Sequence, residues 1–192
     1  MIPASRLMPV VLTTQAGLAA AAVLGAQAAG VRFSAGRPVR DVLIGILVAG
    51  AMAAVNLALL ERPFGPWAAM RAAVDEVLVP TFVGLGRWQI VSVSAAAGVG
   101  EELFFRGFLQ PLAGVLAAAV AFGAAHVAGA RMVAFGVWAA GMGLVLGGLA
   151  EATGGVVAPI TAHACYDVLA FSYLGAEGRR RGDVKGRSSG EA

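Results

Sequence analysis

The stretch GEELFFRGFL, residues 100–109, sets Glu101, Glu102 and Arg106 inside a run that is otherwise apolar. Its reading decides the fold. A charge near the centre of a bilayer costs about 3 kcal/mol or more, so it is retained for a reason and in company. The surroundings are those of a membrane. Of 192 residues, 59% are hydrophobic and 13% charged, and the mean hydropathy is +0.81. No segment has the wide polar face that a soluble helical protein needs. The composition is that of an integral membrane protein, read as an all-α, polytopic membrane helix bundle of about six to seven spans.

A spanning helix needs about 20 apolar residues, and windows of that length are expected at 9–29, 39–60, 89–110, 112–128, 132–150 and 156–174. The first ends in LGAQAAG, residues 24–30, which has the small residues of a signal-peptide cleavage site; its length and its single preceding Arg6 favour a retained helix. Residues 61–89, ERPFGPWAAMRAAVDEVLVPTFVGLGRWQ, mix prolines, aromatics and both signs of charge. They read as interfacial or re-entrant, with Trp67 and Trp88 near headgroups. The chain thus divides into N-terminal spans with an interfacial segment (1–88), a helical core (89–175) and a basic tail expected to lack structure (176–192).

Charge leaves the topology open. The tail carries five Lys or Arg and the loop at 31–40 carries three, so both call for the cytoplasmic side. Six spans place them on opposite sides. No interleaving of basic and aromatic residues points to nucleic acid. Cys165 is the single cysteine, which excludes an internal disulfide and a cysteine-rich metal site.

Helical spacing sorts the intramembrane charges. Glu102 and Arg106 are four apart and can pair. Glu101 lies about 100° around the helix and is left without a local cation. That suits a general base acting on water; the plain alternative is an ion pair that fixes the helix while Glu101 sits near the interface. If the chain turns near residues 110–114, Glu101 lies roughly 13 Å from the turn and His126 roughly 18 Å. The two could then share one water. His163 and Asp167 share a face in TAHACYD, but the same reckoning leaves His163 roughly 10 Å from His126 in depth. There is no HExxH and no Cys/His ligand spacing; two His with carboxylates could hold zinc, although nothing in the spacing requires it.

Three pieces in order, Glu101-Glu102-x-x-x-Arg106, Phe122-x-x-x-His126 and His163-x-x-x-Asp167, resemble the motifs of the CPBP (CAAX protease and bacteriocin-processing, or ABI) intramembrane endopeptidases, which include the type II CAAX prenyl endopeptidase. The resemblance covers roughly residues 92–174. It implies a helix bundle enclosing a conical, water-accessible cavity. It also implies that Glu101 activates water with help from His126, that Glu102 and Arg106 orient the site, and that His163 and Asp167 stabilise an oxyanion. The family usually has Asn where this chain has Asp167. An ionised Asp offers only acceptors and repels an oxyanion, so Asp167 is either neutral or serves to orient His163 as the donor; the second reading is preferred. Members have been described as metalloproteases, but a metal-free, glutamate-dependent mechanism fits these residues better, with zinc the alternative cofactor.

The expected activity is hydrolysis of a peptide bond in a membrane-associated or lipidated substrate. The expected setting is the cytoplasmic membrane of a prokaryote, given the bias to Ala, Gly and Arg. The partners are the bilayer and a membrane-embedded or membrane-associated peptide or protein. The other readings are a non-catalytic immunity or scaffold protein of the same fold and a small proton-coupled transporter.

Overall fold

A computed structural model describes residues 4–62 and 65–188. Its elements are α1 (Ala4–Ala29), α2 (Pro38–Leu60), α3 (Pro66–Ala73), a π-helical turn (Val74–Leu78), α4 (Val79–Phe82) and α5 (Arg87–Glu102). A π-helical stretch (Leu103–Leu109), α6 (Gln110–Ala125), a 3₁₀ turn (Ala130–Met132), α7 (Val133–Thr153) and α8 (Val157–Ser188) complete it. Among the described residues there is no strand.

Local chemistry marks the boundaries. Pro38 and Pro66 stand in the first turn of α2 and α3, where a missing N–H costs nothing. Gly154 ends α7 in the left-handed region at φ 71°, and the N–H groups of Gly154 and Gly155 both donate to the Ala150 carbonyl. The decisive break is Gly114. At φ 83° and ψ 164° it adopts a backbone that a side chain would resist, and there the chain that began at Arg87 folds back on itself. Phe105 consequently meets Phe122 edge-on at 5.1 Å.

Six helical segments alternate in direction. α1 runs alongside α5, with Gln15 at Glu101 and Gly25 against Phe108. α8 runs alongside α2 and against α5, with Gly45 at Ala158 and Gly98 between Ile160 and Ala164. Small residues allow these approaches, as expected where lipid gives helices no hydrophobic reason to associate. A Cβ on Gly123 would stand 2.5 Å from the Gly136 carbonyl oxygen and 2.6 Å from the Ala140 Cβ.

The turns 30–37, 111–114 and 154–156 lie at one end of the bundle, joined where the Val156 N–H donates to the Ser34 carbonyl at 2.9 Å. The N-terminus, α3 to α4 and the far half of α8 lie at the other. Among the described residues four stretches are long and apolar enough to cross a membrane: Arg6–Ala29, Pro38–Leu60, Arg87–Ala125 and Ala130–Thr153. Two expected spans therefore fall in one 39-residue stretch that Gly114 folds in half. The sixth expected span, 156–174, falls in α8 and is not among the four, because His163 and Asp167 lower its apolarity.

Two expectations change on contact with the structure. Residues 176–188 do not lack structure: α8 continues to Ser188, held by Arg181, which reaches Glu177 and Asp75, each at 2.9 Å. Residues 189–192 lie outside the described residues. Trp67 packs edge-on against Trp138 at 5.9 Å, and Trp88 is exposed. The basic loop at 31–40 has a structural use. Asp41, fully buried, accepts from the Arg37 N–H and from the Arg40 side chain, which also reaches the Thr153 carbonyl. Of the loop arginines, Arg40 ties the loop with its side chain and Arg37 with its backbone N–H. Arg6, Arg62, Arg71, Arg87, Arg131 and the Arg179–Arg181 run all lie at the opposite end, so the positive-inside bias makes that end the expected cytoplasmic one.

Two outcomes follow. In a Cys165→Ser background, Ser34→Cys should react with a membrane-impermeant maleimide on intact cells, and Arg180→Cys only after permeabilisation; the reverse pattern inverts the orientation. Gly123→Leu should cost about 1–3 kcal/mol by overpacking α6 against α7, measured as a lowered unfolding midpoint in detergent.

Candidate active site

Glu102 ends α5 as the chain passes into the π-helical stretch, a local widening of the helix that often accompanies function. Its side chain is 0% exposed. Oε1 accepts from the Arg106 guanidinium at 2.9 Å and from His163 Nδ1 at 2.7 Å. Arg106 also donates to the Gly143 carbonyl at 3.1 Å and lies over the Phe122 ring, 4.4 Å from its centroid. One carboxylate therefore joins α5, the π stretch and α8, and through Arg106 reaches α7. The pairing expected from four-residue spacing is present; the addition of His163 was not visible in the spacing.

Glu101 faces another way. Its Oε1 accepts from Gln15 Nε2 at 2.7 Å, while its buried Oε2 has no hydrogen-bond partner among the described residues. That free oxygen stands 3.7 Å from His126 Nε2, so the depth reckoned from a turn near residues 110–114 agrees with the geometry. His126 caps the end of α6, and its Nδ1 lies 2.7 Å from the Phe122 carbonyl. A carbonyl can only accept, so Nδ1 carries the hydrogen and Nε2 of the neutral ring presents a lone pair toward Glu101.

His163 completes the set. Its ring meets Phe122 edge-on at 5.8 Å, and Phe122 in turn lies 4.6 Å from the His126 ring. The depth gap expected between the two histidines is thus bridged by one phenyl ring. His163 Nε2 stands 3.5 Å from Asp167 Oδ2, an ion-pair distance rather than a tight hydrogen bond. Glu101, His126, His163 and Asp167 all line one cavity of about 360 Å³. The cavity passes from this polar end between α2, α3 and α8, along Leu57, Met70, Phe82 and Leu174, toward the end that carries the tail.

Among the described residues, no group of three or more His, Cys, Asp and Glu is arranged to hold a metal ion. Glu102 is already committed to Arg106 and His163, so Glu101 and His126 do not by themselves make a zinc site.

Sequence reasoning missed Gln15 and Tyr166, both of which line the cavity. The available signal for Gln15 was an amide in the middle of the first apolar run, in TTQAG.

Part of the chain has a counterpart among known families. Residues 83–169 match the family model described as Type II CAAX prenyl endopeptidase Rce1-like. No curated protein and no solved structure gives a match. The matched segment holds all six charged and histidine residues discussed above, and it excludes α1, α2 and α3. Residues 83–169 of this multi-pass membrane protein thus match an Rce1-like domain, consistent with the CAAX protease family.

Proposed function

We propose that the protein is an intramembrane endopeptidase that hydrolyses a peptide bond of a membrane-associated or lipidated substrate with a water held between Glu101 and His126. The observation that carries this reading is the 3.7 Å gap between Glu101 Oε2 and His126 Nε2. It is longer than a hydrogen bond and short enough for one water oxygen to touch both. Both atoms accept, so the water donates one hydrogen to each and turns a lone pair toward the cavity.

Attack on the scissile carbonyl moves one water proton to Glu101. The new C–O bond leaves an oxyanion, and His163 is the donor within reach of the cavity. Its Nδ1 donates to Glu102, so Nε2 offers a hydrogen when the ring is cationic. Glu102 at Nδ1 and Asp167 near Nε2 orient the ring. Here Asp167 acts through His163 and not on the oxyanion, which accounts for a residue that would otherwise repel it. Collapse breaks the C–N bond, and the leaving amine takes the proton from Glu101. The site requires no metal in this scheme.

The cavity's apolar walls and its direction suit a substrate anchored in the bilayer and cleaved near the cytoplasmic face of a prokaryotic cell membrane. The test is to reconstitute the protein into proteoliposomes with membrane protein extract and to map new N-termini by mass spectrometry. Termini that appear with the wild type and not with Glu101→Gln identify the substrate. Proton flux in liposomes without any cleavage would instead support a transporter.

With the substrate so identified, Glu101→Gln and His126→Ala should each lower kcat by about a hundredfold or more while the unfolding midpoint in detergent stays within a few degrees. Full activity of Glu101→Gln overturns the assignment. Asp167→Asn keeps an acceptor for His163 and should retain at least a tenth of the wild-type rate. Asp167→Leu, which removes it, should lose about ten- to a hundredfold.

A further inference from the structure

α1 lies outside the Rce1-like segment, yet it delivers one polar side chain to the polar end of the cavity. Gln15 is 8% exposed and stands 86 residues from Glu101 in sequence. Its Nε2 donates to Glu101 Oε1 at 2.7 Å. Because a carboxylate only accepts, the amide must turn its NH₂ toward Glu101 and its oxygen away; that oxygen is buried and has no partner among the described residues.

A second observation supports a built contact. Gly100 immediately precedes Glu101, and a Cβ there would fall 2.6 Å from the Gln15 carbonyl oxygen and 2.7 Å from Gln15 Oε1. The glycine is what lets the α1 backbone approach α5 closely enough for a two-methylene side chain to reach the carboxylate. Gly25, about three turns further along α1, makes room for the Phe108 ring in the same way. The approach is therefore a seam of contact along α1, and Gln15 sits on it at the level of Glu101.

We infer that Gln15 is a positioning residue of the hydrolytic centre. It occupies Glu101 Oε1 and so turns Oε2 toward His126, which makes α1 part of the active centre. The inference rests on the reading of Glu101 as the base. Left without the amide, the carboxylate is free to rotate about its terminal torsion, and the bridging position between Glu101 and His126 is held only part of the time. A misplacement of about 1 Å in such a site is worth about a hundredfold in rate. Substrate contacts along the apolar walls are unaffected.

The experiment has two arms. The first uses dicyclohexylcarbodiimide, an apolar reagent for carboxyl groups within membranes, on the full-length protein in proteoliposomes; modification at Glu101 is followed by mass spectrometry. Gln15→Leu should raise the labelling rate at Glu101 at least fivefold and leave the rate at Asp167 within twofold. Gly100→Ala, which forces α1 away without removing the amide, should do the same. Equal labelling of Glu101 in wild type, Gln15→Leu and Gly100→Ala overturns the inference. The second arm measures cleavage of the peptide that depends on Glu101. Gln15→Leu should lower kcat by about ten- to a hundredfold with KM within twofold, and Gln15→Asn, one methylene too short, should resemble it. A change in KM alone, or kcat equal to the wild type, overturns the positioning role. If labelling responds to Gln15 but Glu101→Gln still cleaves, the contact stands and the assignment of the base fails.

Discussion

The bundle depends on one buried carboxylate. Glu102 is fully removed from solvent and accepts from Arg106 on the π-helical stretch and His163 on α8. Desolvating those charges is unfavourable, and removing one partner of such a set costs about 3–5 kcal/mol because the others are left unanswered. The arrangement therefore has one register. α5 and α8 must place Glu102 and His163 at one level, and α7 must offer the Gly143 carbonyl to Arg106. Apolar helices in lipid could slide or rotate past one another with little penalty; this set forbids it.

Registry of that kind serves chemistry because the neighbouring carboxylate is left over. Glu101 is adjacent in sequence but points elsewhere on the helix, toward α1 and the end of α6. With the set around Glu102 immovable, the position of Glu101 is inherited from it. Phe122 links the two halves, touching His126, His163 and Arg106 with one ring. The division of labour is between a satisfied carboxylate that holds helices and an unsatisfied one that faces a cavity.

Close packing is what allows helices to bring these groups together. Gly45, Gly98, Gly100 and Gly123 all stand where a Cβ would meet another helix at under 3 Å. The turns at one end are tied by Asp41 and its arginines, while the tail end is held by the Arg181–Asp75 ion pair between α8 and the α3–α4 segment. The cavity opens toward that second end, where the fold is closed by a short, broken segment rather than by a full-length helix.

The membrane class, the first five expected spans, the Glu102–Arg106 pair and the facing of His163 and Asp167 were legible in the sequence, because each follows from composition or from the four-residue repeat of a helix. The turn near residues 110–114 was legible too, and with it the shared depth of Glu101 and His126. The contacts of Glu102 with His163, 61 residues away, and of Glu101 with Gln15, 86 residues away, were decided by tertiary structure alone. So was the end of the bundle to which each basic cluster belongs. Spacing along one helix fixes a face and a height, but which helix lies opposite that face depends on how whole surfaces pack, and no local pattern encodes that.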